Sequence, residues 1–251
     1  MAGHFDFLGG PRWLATDLPT EAVAFISSPF NGSVIVGSSS FFGMSVLSQQ
    51  AWTLRSKADH FQETVVPRHF RPYTGLISSL PLGAFGDLGS ADPNAPDDND
   101  GLWAEDYLAA QSFRYAVTGD AGARKSALKM LSTLESLVNV TGVAGLPART
   151  MVANASHKNE PDHWGWNPSP TKEGWWFIGN TSSDEMTGHL FGLSVFMDVG
   201  AKDSSEMGRA RKLMNDMVTR IVKGGLILRD VQWSHETKWG HWDPLDMNGN
   251  F

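Results

Sequence analysis

Apolar residues recur at helical spacing in the middle of the chain. Trp103, Tyr107, Ala110, Phe113 and Val117 follow one another at intervals of four, three, three and four, which predicts an amphipathic helix opening after Asp100-Gly101, with Asp100 as its N-cap. Thr118-Gly119-Asp120 reads as a tight turn, and Ala127, Leu131, Leu134 and Val138 give a second helix, so residues 101–138 form an antiparallel helical hairpin. The pattern returns about eighty residues later. Ser182-Ser183-Asp184-Glu185 has the form of a capping box, Met186, Leu190, Leu193 and Met197 line one helix, and Ala210, Met214, Met217 and Ile221 line its partner beyond Gly200. Two such hairpins form a weak internal repeat and predict a stacked or circular array of α-hairpins.

The first hundred residues follow other rules. Ala22–Val36 holds two β-branched runs around Asn31-Gly32, a hairpin signal. Leu54, Ala58, Phe61 and Val65 predict a short amphipathic helix ending before Pro67. Residues 74–99 are rich in Gly, Pro, Ser and Asp, which marks a long loop or boundary. The chain therefore divides into a β segment (1–50), a linker helix with a Gly/Pro-rich loop (51–96) and a helical region (97–251). Within that region the connection from Val140 to Thr181 is longer than the roughly 12–15 residues at which structureless loops become uncommon, and it is rich in tryptophan.

Composition narrows the chemistry. With 251 residues a substantial core is accessible, and a formal charge of −7 without basic runs argues against nucleic acid and anionic membrane as partners. No stretch is apolar enough to span a bilayer, and Met1–Phe7 lacks the basic start and apolar middle of a signal peptide, so the protein is expected to be intracellular or its true N-terminus to lie upstream. Sequons at Asn31, Asn139, Asn154 and Asn180 point the other way, to the secretory pathway. The absence of cysteine leaves carboxylates, imidazoles and hydroxyls as the available groups. Ten tryptophans, shared between core and surface, offer faces for stacking on sugars.

Several stretches resemble six-hairpin-glycosidase-like proteins. They are Asp97-Asp98-Asn99-Asp100-Gly101-Leu102-Trp103 with its continuation through Tyr107 to Asp120, then Gly142–Arg149, Gly179–His189 and Thr237–Pro244, in the same order and covering roughly 97–244. In those proteins a two-component-regulator-type β-propeller often lies upstream, and Pro11–Gly43 is similar to its last blade. The resemblance implies a mainly α fold, an (α/α) toroid of helical hairpins whose loops converge on one end, a scaffold used by glycoside hydrolases and polysaccharide lyases. It also implies that this chain holds an incomplete toroid, with the remaining hairpins as its partners, so a truncated or inactive fragment is one reading.

Candidate chemistry gathers at the predicted helix starts. One carboxylate of Asp98 or Asp100 is a candidate general acid or base on a glycosidic bond, with Asp184 or Glu185 opposite. Helix capping and a solvated turn explain the same acids without catalysis. Glu185 and His189, at i and i+4, share a helix face. Arg149 is a candidate fork for a substrate carboxylate or, equally, a structural ion pair. Trp103, Trp164, Trp166, Trp175, Trp176, Trp239 and Trp242, with His241, are candidate sugar contacts. An EF-hand register fails because Pro96 would be the first ligand and Tyr107 the twelfth, leaving calcium only as a bespoke site and no cofactor expected. His235-Glu236-Thr237-Lys238-Trp239 lacks the second histidine of a zinc helix, and no nucleophile elbow, phosphate loop or dinucleotide fingerprint is present. The competing class is a non-catalytic glycan-binding or sensor module built from the same aromatics.

Overall fold

A computed structural model describes residues 52–83, 88–92, 94–153 and 165–245, together with the backbone of five strands in the first fifty residues. The sequons at Asn31 and Asn154 and the candidate platform Trp164 lie outside the described residues. Two compact units divide the chain, Met1–Arg68 with Leu80–Asp92, and His69–Ser79 with Pro93–Phe251.

In the first unit β1 (Phe5–Phe7) pairs antiparallel with β2 (Pro11–Trp13). The β-branched runs then form β3 (Ala24–Ser27) and β4 (Ser33–Gly37), joined by β5 (Phe42–Val46) in an antiparallel meander with Ile26 opposite Ile35 and Ile35 opposite Met44. Helix α1 (Leu54–His60) is capped by Thr53, whose hydroxyl accepts the Ser56 N–H at 3.0 Å. The helical path does not stop before Pro67. It passes through a π turn at Phe61–Val65 into α2 (Val66–His69), and the Val66 N–H reaches back to the Phe61 carbonyl. Widening the turn here is the local answer to a proline that supplies no N–H and crowds the carbonyl four residues earlier. Leu54, placed on the predicted apolar face, is 89% exposed.

The second unit is mainly α with small antiparallel sheets. Helix α3 (Asp100–Thr118) ends at Gly119, whose φ of 68° is the left-handed conformation glycine adopts without strain, and Asp120 then caps α4 (Ala121–Asn139) by accepting the Gly122 N–H at 2.8 Å. The long connection is structured. Strands β6 (Met151–Val152), β7 (Trp166–Pro168) and β8 (Trp176–Ile178) form an antiparallel sheet with β8 central, and Val152, Trp166 and Ile178 pack beneath it. Helix α5 (Ser183–Val195) runs through a π turn at Phe196–Gly200 to α6 (Ser204–Lys223). Asp203 caps α6 by accepting the Glu206 N–H at 2.9 Å while Glu206 accepts the Lys202 N–H at 2.8 Å. The strands β9 (Ile227–Arg229) and β10 (Glu236–His241) follow as an antiparallel pair.

Glycines decide how the hairpins meet. Gly101 faces Glu185, Leu102 faces Gly188, Glu105 faces Gly192 and Ser112 faces Gly200. Both numbers climb together, so α3 and α5 run parallel at close approach. The second helices are matched likewise. Arg124 pairs with Glu206, Arg209 forks onto Glu135 at 2.7 and 2.6 Å, and Gly145, just past α4, closes on the Asp216 backbone. The two hairpins are thus laid side by side in register, first helix on first and second on second.

This packing reverses the predicted face of α3. Of the stripe read from the sequence only Tyr107 is buried, and Trp103, Ala110, Phe113 and Val117 are exposed. The buried face is Gly101, Ala104, Glu105, Leu108 and Ser112. Small side chains let α5 approach, and burial follows that approach rather than the larger apolar residues on the other side.

Candidate active site

The helix starts of α3 and α5 meet around Arg149. Its backbone ties three elements together, because the Arg149 N–H donates to the Ile178 carbonyl at 2.9 Å and its own carbonyl accepts the Gly101 N–H at 3.0 Å. Its guanidinium is spent on the protein. Nε donates to the Asp98 carbonyl at 2.5 Å, Nη1 to the Asn180 carbonyl at 3.2 Å, and Nη2 to Asn99 Oδ1 at 2.9 Å and Asp98 Oδ2 at 3.2 Å. The residue is buried, so this fork braces the Asp97–Asp100 turn.

Asp100 is not the N-cap. Asn99 holds that position, without a side-chain cap bond, and Asp100 lies inside the first turn, fully buried. Its Oδ2 accepts from Arg71 Nη1 and from the Thr150 hydroxyl, and Arg71 also reaches Thr150 at 2.8 Å and the Asn94 carbonyl at 3.0 Å. Burial pushes the Asp100 carboxyl up to about 6, against the pull of Arg71, Ser78 and Thr150. Burial also raises Asp97, but bonds from Ser79 and the Asn99 N–H outweigh it and its carboxyl lies below the ordinary value.

Asp98 keeps an outlet to solvent. Its side chain is 35% exposed. Partial burial and the neighbouring Asp97 raise its proton affinity, and Arg149 opposes them. Asp184, on the first turn of α5, is likewise only half-buried.

Glu185 and His189 lie deeper, sealed between α3 and α5. The capping box is not formed, since Ser182 is the N-cap but makes no side-chain cap bond and neither Glu185 oxygen has a hydrogen-bond partner among the described residues. Instead His189 Nδ1 shares a 2.7 Å hydrogen bond with Glu105 Oε1, and its Nε2 lies 3.8 Å from Glu185 Oε2. All three side chains have no exposure. Burial raises the carboxyls of Glu105 and Glu185 well above their ordinary range, each pushed further by nearby acids, while the Arg149 charge pulls Glu185 the other way. Burial also lowers His189 to about 3. Burial thus works against charge on all three side chains, favouring the protonated carboxyls and the neutral imidazole.

The aromatic candidates are dispersed. Trp103 is 42% exposed on α3, three residues beyond Asp100. Trp239 is 47% exposed with the Lys238 ammonium 4.6 Å from its ring, and the Lys238 N–H donates to Asn180 Oδ1 at 2.9 Å, which attaches β10 to the Arg149 cluster. Trp242 is half-buried, its N–H bonded to the Leu226 carbonyl. Trp175 lies under the Lys172 ammonium at 3.2 Å, and Trp176 packs against the sheet core. His241 is buried, with Nε2 3.1 Å from the Thr237 carbonyl. Among the described residues no group of three or more His, Asp or Glu is arranged to hold a metal ion, and no helix is long and apolar enough to cross a membrane.

Arg71, Glu105 and Thr150 were not singled out in the sequence. Glu105 had a local signal, an acid on the same face as Gly101, Leu108 and Ser112. Arg71 and Thr150 had none. No protein-family model matches the chain, and comparisons with curated proteins and with solved structures give no match.

Proposed function

We propose that this chain is the substrate-facing part of a carbohydrate-active protein of toroidal, six-hairpin-like architecture, in which Asp98 acts as general acid or base on a glycosidic bond and Asp184 is its partner. The observation that carries the reading is the state of Asp98. Arg149 holds it at the meeting point of two parallel helix starts, its proton affinity is raised, and it retains access to solvent. A carboxyl so placed holds its proton more tightly than a free aspartate and is open to a substrate oxygen. Asp100, Glu185 and His189 serve in this reading as buried supports that fix the two helix starts.

The architecture is supported by the register of the hairpins, first helices paired and second helices paired, which a ring of hairpins repeats. It is also supported by Trp103, Phe113 and Val117, exposed on the side of α3 away from α5, where a further hairpin would cover them. Carbohydrate as substrate rests on the sequence resemblance and on Trp103 and Trp239, exposed near the ends of the same cluster.

A second reading is a glycan-binding module without catalysis, in which the exposed Trp103 and Trp239 hold the glycan and Asp98 only accepts from Arg149, whose fork is taken up by protein acceptors. The two separate by mutation. Asp98→Asn abolishes turnover and spares binding in a catalytic site, whereas Trp239→Ala weakens binding in either case. Cleavage of a polysaccharide panel by the wild-type protein, lost in Asp98→Asn, is the expected result. Binding of a glycan with no cleavage by any member of the panel would replace the catalytic reading with the second.

A further inference from the structure

We propose that Asn139 carries an N-linked glycan whose first N-acetylhexosamine occupies the cavity between α4 and α6. The cavity is an open cleft of about 430 Å³, within the range of roughly 300–1,000 Å³ that small-ligand sites occupy. Asn139 is on its lining, the last residue of α4 and exposed. The backbone there is held firmly. The Asn139 carbonyl accepts the Gly142 N–H at 3.0 Å and the Thr171 hydroxyl at 2.7 Å, while its carboxamide makes no hydrogen bond among the described residues.

The lining suits a neutral sugar. Val138, Val143 and Leu213 supply apolar surface for a ring face and an acetyl methyl group. Arg209 and Lys212 supply donors, but each is already matched, to Glu135 and to Asp216. The cavity therefore offers donors and acceptors to hydroxyl and amide groups without a spare charge to recruit an anion.

Asn139-Val140-Thr141 is an acceptor sequence. The Thr141 hydroxyl is buried in the fold and donates to the Val138 carbonyl at 2.8 Å, so modification precedes folding of this turn. In the transfer, Asn139 Nδ2 bonds to the anomeric carbon of a lipid-pyrophosphate-linked oligosaccharide. The bond from that carbon to the pyrophosphate oxygen breaks, the lipid pyrophosphate leaves, and the amide proton passes to a base of the transferase. Asn180 differs, since its Oδ1 accepts the Lys238 N–H and its carbonyl accepts from Arg149.

The test uses protein isolated from the cells that make it. Trypsin gives the peptide Met130–Arg149, whose sole asparagine is Asn139, and enzymatic release of glycans in heavy-oxygen water marks an occupied site as aspartate. The expected result is a marked peptide. Hydrogen exchange then compares protein trimmed to a single N-acetylglucosamine with fully deglycosylated protein and with Asn139→Gln. Slower exchange over residues 138–144 and 209–216 in the trimmed form alone is expected. A peptide found only unmodified, or exchange equal in all three forms, overturns the proposal.

Discussion

Substituting Gly192 by alanine tests the close approach of α3 and α5. In an unencumbered helix the change stabilises, by about 1 kcal/mol, because alanine loses less backbone freedom on folding. Here the new methyl would lie 2.7 Å from the Glu105 carbonyl oxygen and 3.0 Å from its Cβ, and also against Glu105 Oε2. A backbone atom cannot rotate away, so relief requires the helices to separate. Overpacking of this kind costs roughly 1–3 kcal/mol, and a helix pair fixed at a further glycine contact on either side belongs at the upper end. Subtracting the propensity gain leaves a net loss of about 2 kcal/mol. For a protein of this size that lowers Tm by roughly 4–8 °C. Gly208→Ala is the internal control, since Gly208 is exposed inside α6 with nothing within 4 Å of the added methyl, and it is expected to raise stability by about 0.5–1 kcal/mol. Urea denaturation of the two variants beside wild type reads both signs. A Gly192→Ala protein as stable as Gly208→Ala would refute the parallel α3–α5 contact.

Three further outcomes follow from the buried cluster and its rim. Glu185→Gln is expected to match wild type near pH 4 and to exceed it in stability near pH 8. A carboxyl whose folded pKa is raised contributes stability present below its ordinary value of 4.5 and lost as pH rises, at about 1.4 kcal/mol per pH unit up to the folded pKa. His189, lowered to about 3, has the opposite slope, with stability rising between that value and 6.5, so the comparison is made between variant and wild type at each pH. Equal pH profiles for the two proteins in denaturant titrations would show Glu185 to be ionised in the fold. Arg71→Met leaves the Asp100 carboxyl buried without its cation and is expected to cost about 3–5 kcal/mol near neutral pH. Because the Asp100 carboxyl takes up a proton below about 6, that loss should shrink in acid, and a pH-independent loss would count against the pair. Asp98→Asn keeps the main-chain carbonyl that accepts from Arg149 and is expected to leave the urea midpoint almost unchanged while removing detectable turnover, a loss of at least the about 10²–10⁴-fold that general acid–base catalysis contributes.

Local features of the fold were legible in the chain and tertiary ones were not. The helical spacing in both hairpins and the turn at Thr118-Gly119-Asp120 depend on neighbours within a turn, and each formed where the pattern placed it. The buried face of α3 was misread because Trp103, Phe113 and Val117 outrank Gly101, Ala104 and Ser112 in hydrophobicity, while burial was decided by glycines on a helix some eighty residues away. The same holds for the site. Glu185 with His189 was visible as an i, i+4 pair, but the Glu105 partner of His189 is 84 residues distant and the Arg71 partner of Asp100 is 29 residues distant, inside a segment that reads as a linker. Ser182 and Glu185 fit a capping box by spacing, and the fold uses Glu185 to face Gly101 and His189 instead.

The most direct test of the proposed chemistry is incubation of the purified protein and its Asp98→Asn variant with neutral and uronic-acid polysaccharides, following new reducing ends together with the ultraviolet absorbance of unsaturated uronate products. The account predicts new reducing ends from wild type and none from the variant, with absorbance if the cleavage is an elimination and without it if the cleavage is hydrolytic. Reducing ends released equally by both proteins would remove Asp98 from the chemistry, and no release by wild type from any polysaccharide would contradict the enzymatic claim itself.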